Sequence, residues 1–368
     1  MQAREAFYLV SIAGQNISAR LRGIVEQITV HDGSGQAADT ASITLDDKGG
    51  QIKLPQKNDP VEISLGWMAG DVRQVFDGVI DSVESTGGRG QGHMLSISAK
   101  SADMSSKIKE HREKNWDDKT LGEVLAEAGR FAGIQVTVHP SLAKIKREYW
   151  GMTNQSFVAF GNKLARELGG TFKIRNGRAT LVPRNEGVGA GGSALKPIMA
   201  TVGDNVISWS ISPAEARPQF TKYGTRWFDR KAAKWKRETV EAAPKAQAQS
   251  TDRYSEADAE SSKGRSGSAK RGGDREKGGG TITIDGDSLA QAEAPVIVSG
   301  TRPGIDGTYR AESVEHRYTR GGGYTCTIDI KSPGEDTGSD DRKPAGKGAG
   351  TKPGSDKEAG VPSIGNVA

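Results

Sequence analysis

Cysteine is nearly missing from this sequence, with one residue in 368, which excludes an intrachain disulfide and a cysteine-built zinc centre. That residue, Cys326, alternates with Tyr324, Ile328 and Ile330, so it reads as a small buried apolar group in a strand and not as a nucleophile. Aromatic residues make up only 6% and hydrophobic residues 34%, so the cores are expected to be modest. No apolar run approaches the roughly 18 residues that cross a bilayer, and no membrane contact is expected. Met1 to Glu5 contain no basic segment leading into an apolar core, so no secretory leader is expected and assembly in the cytoplasm is. His31, His93, His111, His139 and His316 are scattered, no two at ligand spacing, and there is no HExxH, P-loop or GxSxG pattern. No catalytic, cofactor-binding or metal-ligating residue is assigned on these grounds, and the chain is not read as an enzyme.

Glycine, by contrast, is plentiful at 49 residues, which suits short strands joined by tight turns. Residues 6–100 read as consecutive strands. Ile24, Glu26, Ile28 and Val30 are expected on one face, followed by Ala41/Ile43/Leu45, Val61/Ile63/Leu65 and Leu95/Ile97/Ala99. Phe76, Gly78 and Ile80 are expected to face away from Val79, Asp81 and Val83. Asp46 to Gly50 reads as a turn, because an EF-type calcium loop spreads its ligands over about twelve residues. Gly87 to Gly92 joins two strands instead of opening a helix, so it reads as a hairpin loop and not as a phosphate cradle.

The central stretch is the most regular. Thr120 and Glu123 have capping-box spacing, Leu121, Val124, Leu125, Ala128 and Ala132 follow at helical intervals, and Gly133 is the stop. Ile134, Val136 and Val138 alternate as a strand. Phe157, Phe160, Leu164 and Leu168 form a second helical stripe ending at Gly169 and Gly170. Asn176-Gly177 then marks a type I′ hairpin pairing Ile174 with Ala179 and Phe172 with Leu181, with Lys173, Arg175, Arg178 and Thr180 on the opposite face.

Strands resume near Thr201, with Val206, Ser208, Ser210 and Ser212 on one face and Ile207, Trp209 and Ile211 on the other. Tyr223 to Arg237 reads as a hairpin bending near Asp229 and Arg230. There Lys222, Arg226, Arg230, Lys231, Lys234, Lys236 and Arg237 interleave with Tyr223, Trp227 and Trp235. That mixture occurs in single-strand nucleic-acid binders, although a hairpin with a solvated cationic face explains it more simply. Residues 242–280 are polar and cannot bury enough surface to fold alone, so by composition they form a linker. Strands return at 281–284, 296–298 and in a closing hairpin. The tail 333–368 is rich in Gly, Lys, Pro, Asp and Ser, and no independent fold is expected of it.

Three central segments, TLGEVLAEAG from Thr120, TNQSFVAFGNKLARELGG from Thr153 and KIRNGRATLVP from Lys173, resemble the late control gene D proteins. These are the baseplate hub proteins of contractile-tailed bacteriophages, related to the front half of the VgrG spike proteins of type VI secretion. Phe76 to Glu84, Asp306 to Tyr318 and Gly321 to Ile330 fit the same pattern, so the resemblance covers roughly residues 5 to 332. It implies a mainly β fold of two hub-type β-barrel domains plus a small α/β module. The expected division is 1–110 for the first barrel, 111–187 for the module, 188–332 for the second barrel with a polar linker or helix at 242–280, and 333–368 for a disordered tail. The resemblance also implies a homotrimer in the virion that joins the six-fold tail tube protein to the three-fold central spike protein, with the tape measure protein as a further partner. The chain stops at Ala368 with no repeating strand pattern, so any needle is expected on a separate protein. Two alternatives remain: a tail-associated peptidoglycan hydrolase, for which no acid/base motif stands out, and a single-strand nucleic-acid binder acting through Tyr223 to Arg237. No sequence-specific nucleic-acid motif accompanies those residues.

Overall fold

The computed structural model describes residues 5–332 apart from 35–37, 69, 90–91, 102–106, 176, 185, 190, 213–219 and 244–245. Asn176 and the tail 333–368 therefore lie outside the described residues. The front of the chain runs through β1 (Ala6–Ile12), β2 (Gln15–Asn16), α1 (Ser18–Leu21), β3 (Val25–Gly33) and β4 (Thr40–Asp46). It continues through β5 (Pro60–Trp67), β6 (Arg73–Gly88) and β7 (Gly92–Lys100). The apolar triplets of β4, β5 and β7 are all buried, as their alternation requires. The expected phase fails in β3. A register shift between Val25 and Gln27 turns Val25 inward with Ile28 and Val30, because one inserted residue inverts the alternation before it.

The module comprises β8 (Arg112–Thr120), α2 (Leu121–Ala132), β9 (Gln135–Val138), α3 (Pro140–Ala143), β10 (Lys146–Gln155) and α4 (Phe157–Leu168), then β11 (Gly170–Arg175) and β12 (Arg178–Pro183). Helix α2 starts where it does because Thr120 and Glu123 cap each other, the Glu123 carboxylate accepting from Thr120 N at 2.8 Å. Both longer helices end on a left-handed glycine, Gly133 at φ 72° and Gly169 at φ 69°. In the hairpin Ile174 faces Ala179 and Phe172 faces Leu181, and β9 adds to β12 in parallel. The β8–β10 pair is not evident in the sequence: Trp116 and Trp150, buried and directly opposite each other, sit among mostly charged and polar neighbours.

The remainder holds β13 (Ile198–Thr201), β14 (Val206–Ser212), β15 (Lys222–Asp229), β16 (Lys234–Glu241), β17 (Gln249–Glu256) and α5 (Ala259–Arg275). It ends with β18 (Gly279–Asp285), β19 (Pro295–Ser299), β20 (Gly307–Thr319) and β21 (Gly323–Lys331). A 13-stranded sheet runs β14-β18-β21-β20-β3-β4-β7-β6-β5-β1-β2, with β19 beside β20 and β13 beside β19. The β3–β20 pairing joins front and back, placing Val30 opposite His316, and one buried apolar cluster serves both halves. The chain is thus mainly β, with an α/β module inserted between its strand-rich halves.

Two stretches depart from the sequence reading. Strands β15 and β16, expected within the second barrel, leave the large sheet and pair with β17 in a separate three-stranded sheet. Residues 242–280, a linker by composition for which the resemblance implies a helix at roughly Ser255 to Lys270, contain β17 and α5, so the helix is borne out and the linker is not. The helix forms despite its glycines because Asp258 caps it, accepting from Ser261 N at 2.7 Å, and because the sheet needs small residues beneath it. At Gly273 an added Cβ would collide with the Tyr223 hydroxyl.

Candidate assembly surfaces

Within the large sheet, Cys326 Sγ lies 3.3 Å from His316 Nδ1, the spacing of a thiol–imidazole pair. Its electrostatics are those of an inert one. Burial pushes the thiol up to about 12 and the imidazole down to about 4, whereas a nucleophile needs the reverse. His316 is fixed instead by Tyr324 Oη at 2.8 Å and the Ala290 carbonyl at 3.1 Å. Among the described residues no group of three or more His, Cys, Asp and Glu side chains could hold a metal ion.

The polar face of the β11–β12 hairpin makes a joint. Lys173 reaches both Asp32 of β3 and Asp39, the latter at 2.8 Å, and Arg175 Nε lies 3.0 Å from Asp39. Burial pushes the Asp32 carboxyl up, but the charges of Lys173 and Arg175 outweigh it and hold it at about 2. Asp39 moves the other way, raised by burial and by the Asp32 charge. Ser101 completes the contact, accepting from Asp39 N at 2.7 Å and donating to the Ile174 carbonyl at 2.9 Å. A second knot lies nearby: Arg275, at the end of α5, meets Glu293 at 3.1 Å and Ser34 at 3.0 Å. These ionic contacts pin the module and α5 to the strand body. Nothing in the sequence ties Asp32 or Asp39 to a hairpin so distant along the chain.

The cationic hairpin is present as expected, with Asp229 accepting from Lys231 N at 2.9 Å and Ala232 N at 3.1 Å at the bend. Several of its cations are already engaged. Lys222 pairs with Glu241 at 2.7 Å, and Lys236 pairs with Asp229 at 2.6 Å while lying over Trp227. Trp227 donates to Glu238 at 3.1 Å. Lys222 and Lys236 are thus neutralised within the hairpin itself.

A different feature stands out at the end of the large sheet. Among the described residues β14 pairs only with β18, so its outer edge is open. Trp209 sits opposite the buried Ile282, on the core side, yet remains 43% exposed, and Ile207 is 55% exposed. The core is thus open at this edge, a position that native sheets normally cover. The expected alternation marked the strand, but a register shift between Val206 and Ser208 turns Val206 to the core side with Trp209 and Ile211 and leaves Ile207 out of phase, and the position at a sheet end depends on long-range pairing.

No family model matches the chain. Over 197 residues, 54% of this chain, it is 26% identical to the probable baseplate hub protein of Escherichia phage 186 and 27% identical to that of Escherichia phage P2. It is homologous to those proteins, and it spans about half of their length, 50% in each case. The fold is shared more widely. A 43 kDa tail protein of prophage MuSo2 from Shewanella oneidensis superposes with a TM-score of 0.67 at 13% identity, covering 89% of this chain and 98% of that one. A tail protein from Neisseria meningitidis gives 0.62 at 15% identity over 89% and 96%. A type VI secretion component of E. coli gives 0.55 at 11% identity over 90% and 78%. The sequence resemblance to phage baseplate hub proteins is borne out by the phage 186 and P2 relatives, and the solved structures share the fold.

Proposed function

We propose, with homology to baseplate hub proteins as the premise, that this chain is a structural hub of a phage-type tail. It closes as a homotrimer in the virion baseplate, between the tail tube protein and the central spike protein, with the tape measure protein as a further neighbour. The observation that carries the reading is the open edge of β14, beside a core that Trp209 leaves partly uncovered. A strand from a second copy laid along that edge satisfies its backbone groups and buries the indole. Such a head-to-tail contact, repeated by rotation, closes into a ring. In this reading residues 1–110 and 188–332 are the two strand-rich units of each chain, and residues 111–187 are the module between them. Three copies then offer six related units to a six-fold tube and one three-fold end to a spike. The work is symmetry matching by surface complementarity, and no step is chemical.

The test is native mass spectrometry of the full chain, alone and with its spike. The expected species is three copies of the 39.0 kDa chain. Trp209→Arg should leave the monomer folded and abolish the larger species. A stable monomer or dimer that persists on the spike overturns the hub reading.

A further inference from the structure

The three-stranded sheet β16–β15–β17 has two unlike faces. Thr225 hydrogen-bonds Ser266 of α5 at 3.1 Å, so the odd-numbered side chains of β15 point under the helix and the even-numbered ones point away. Arg226 and Phe228 therefore lie on the outer face, opposite Arg237 and Trp235, and all four side chains are exposed. The carboxylates serve the helix side: Asp229 takes Lys236, while Asp252 and Glu256 take Arg265 at 2.5 and 2.9 Å. On the outer face the Lys222–Glu241 pair at 2.7 Å is self-contained. Arg226 and Arg237 stand directly opposite each other, a like-charge pairing that destabilises a sheet left alone. Arg237 donates to Thr251 Oγ1 at 2.8 Å, and among the described residues neither guanidinium has a carboxylate partner. Beside them Phe228 and Trp235 pack edge to face at 5.4 Å and remain 40% and 63% exposed.

We propose that this face docks an acidic segment of a partner protein. Carboxylates meet the paired guanidinium forks, whose planar geometry suits them, and an apolar side chain covers the Phe228–Trp235 corner. Arginine and tryptophan together are also the residue types that anchor protein interfaces. A nucleic-acid strand fits less well. The two rings pack against each other instead of standing apart for successive bases. The proposal is independent of how many copies of the chain assemble.

The test is fluorescence anisotropy on the full chain with three labelled probes: a peptide alternating glutamate and leucine, its lysine–leucine counterpart, and oligothymidylate. The unaltered protein should prefer the glutamate–leucine peptide. Arg226→Glu with Arg237→Glu should weaken that binding about tenfold or more and transfer the preference to the lysine–leucine peptide. Trp235→Ala should weaken the first interaction to a similar degree without creating the second. Should the double reversal fail to fold, judged by circular dichroism, Arg226→Gln with Arg237→Gln provides the same loss without the transfer. Equal affinity for the two peptides, or indifference to every substitution, overturns the proposal. So does tighter binding of oligothymidylate that disappears with the same arginines.

Discussion

Two small sheets in this chain have the same strand arrangement and opposite adhesives. In the module β12 is central, with β11 antiparallel and β9 parallel, and in the other sheet β15 is central, with β16 antiparallel and β17 parallel. The first is covered by α2 and α4 through a buried cluster that includes Leu125, Phe157, Phe160, Leu164 and Phe172. The second is covered by α5 through hydroxyls and guanidinium groups. Ser262 donates to the Thr225 carbonyl at 2.7 Å, Ser266 bonds both Thr225 and Glu238 at 3.1 Å, and Arg265 bridges Asp252 and Glu256. Neither buried apolar cluster contains a residue of this second unit. Burying one large apolar side chain contributes roughly 1.5–3 kcal/mol, whereas one hydrogen bond nets roughly 0.5–1.5 kcal/mol. The module is therefore expected to hold itself together, and the α5 unit to rely on what surrounds it.

The largest break in this comparison should come from the module core. Phe160 is fully buried and stacks on Trp116 at 5.7 Å, so Phe160→Ala should cost about 3–5 kcal/mol in urea unfolding of the full chain. A loss below about 1 kcal/mol would mean that the module is not built on its core. The ionic joint comes next. Lys173→Met leaves Asp32 and Asp39 buried with only Arg175 to answer them, and should cost about 3 kcal/mol at neutral pH, the scale of a broken buried pair. The sign with pH follows from Asp32. Its folded pKa of about 2 lies below the ordinary value of 3.8, so its contribution is full above 3.8 and is lost as pH falls from there towards 2. Asp39 has the opposite sign and offsets part of that loss. His316 acts in a higher window. Its folded pKa of about 4 is below the ordinary 6.5, so stability should already decline as pH falls from 6.5 to about 4. His316→Asn should remove that slope, and an unchanged stability-versus-pH profile would show that the imidazole does not set it.

The same contrast explains what was legible in the sequence. Apolar periodicity is a local signal, and it located α2, α4, the Ile174/Ala179 register and the triplets of β4, β5 and β7. Where the glue is polar, the signal fails. By composition α5 and β17 read as linker, and only the resemblance implied the helix, because their serines, glycines and charges look like those of a solvated chain and their hydrogen-bond partners lie elsewhere in sequence. Strands β8 and β10 were missed for a related reason, since a lone tryptophan among charges carries no period. The free edge of β14 and the Asp32/Asp39 joint were invisible because both arise from pairing between distant segments.

A smaller change sharpens the comparison at the hairpin turn. Gly177 has φ +64°, and an added Cβ there meets no atom within 4 Å. Gly177→Val therefore tests backbone conformation alone, and should cost roughly 1–3 kcal/mol without disturbing the packing of Phe172 or Ile174. Thermal unfolding identical to that of the parent would mean that the turn does not need a left-handed residue.

The smallest effect is expected in the α5 unit, and it is the most telling for how that unit is built. Ser266 is 1% exposed, and its hydroxyl bonds the Thr225 hydroxyl and the Glu238 carbonyl. Ser266→Ala deletes both bonds and leaves two buried polar groups short of a partner, a loss of roughly 1–3 kcal/mol. Alanine returns a few tenths of a kcal/mol through its higher helix propensity, so about 1 kcal/mol of net destabilisation should remain. Because the unit has no apolar cluster, that loss should appear locally, as faster amide exchange in α5 and β15 with the module unaffected. Raising the salt concentration should act in the same direction on the Arg265 contacts, which are partly exposed, and leave the module core unmoved. If Ser266→Ala instead stabilises the protein and slows exchange in α5, then helix propensity outweighs the hydroxyl network, and the two sheets differ less in their adhesive than their residues suggest.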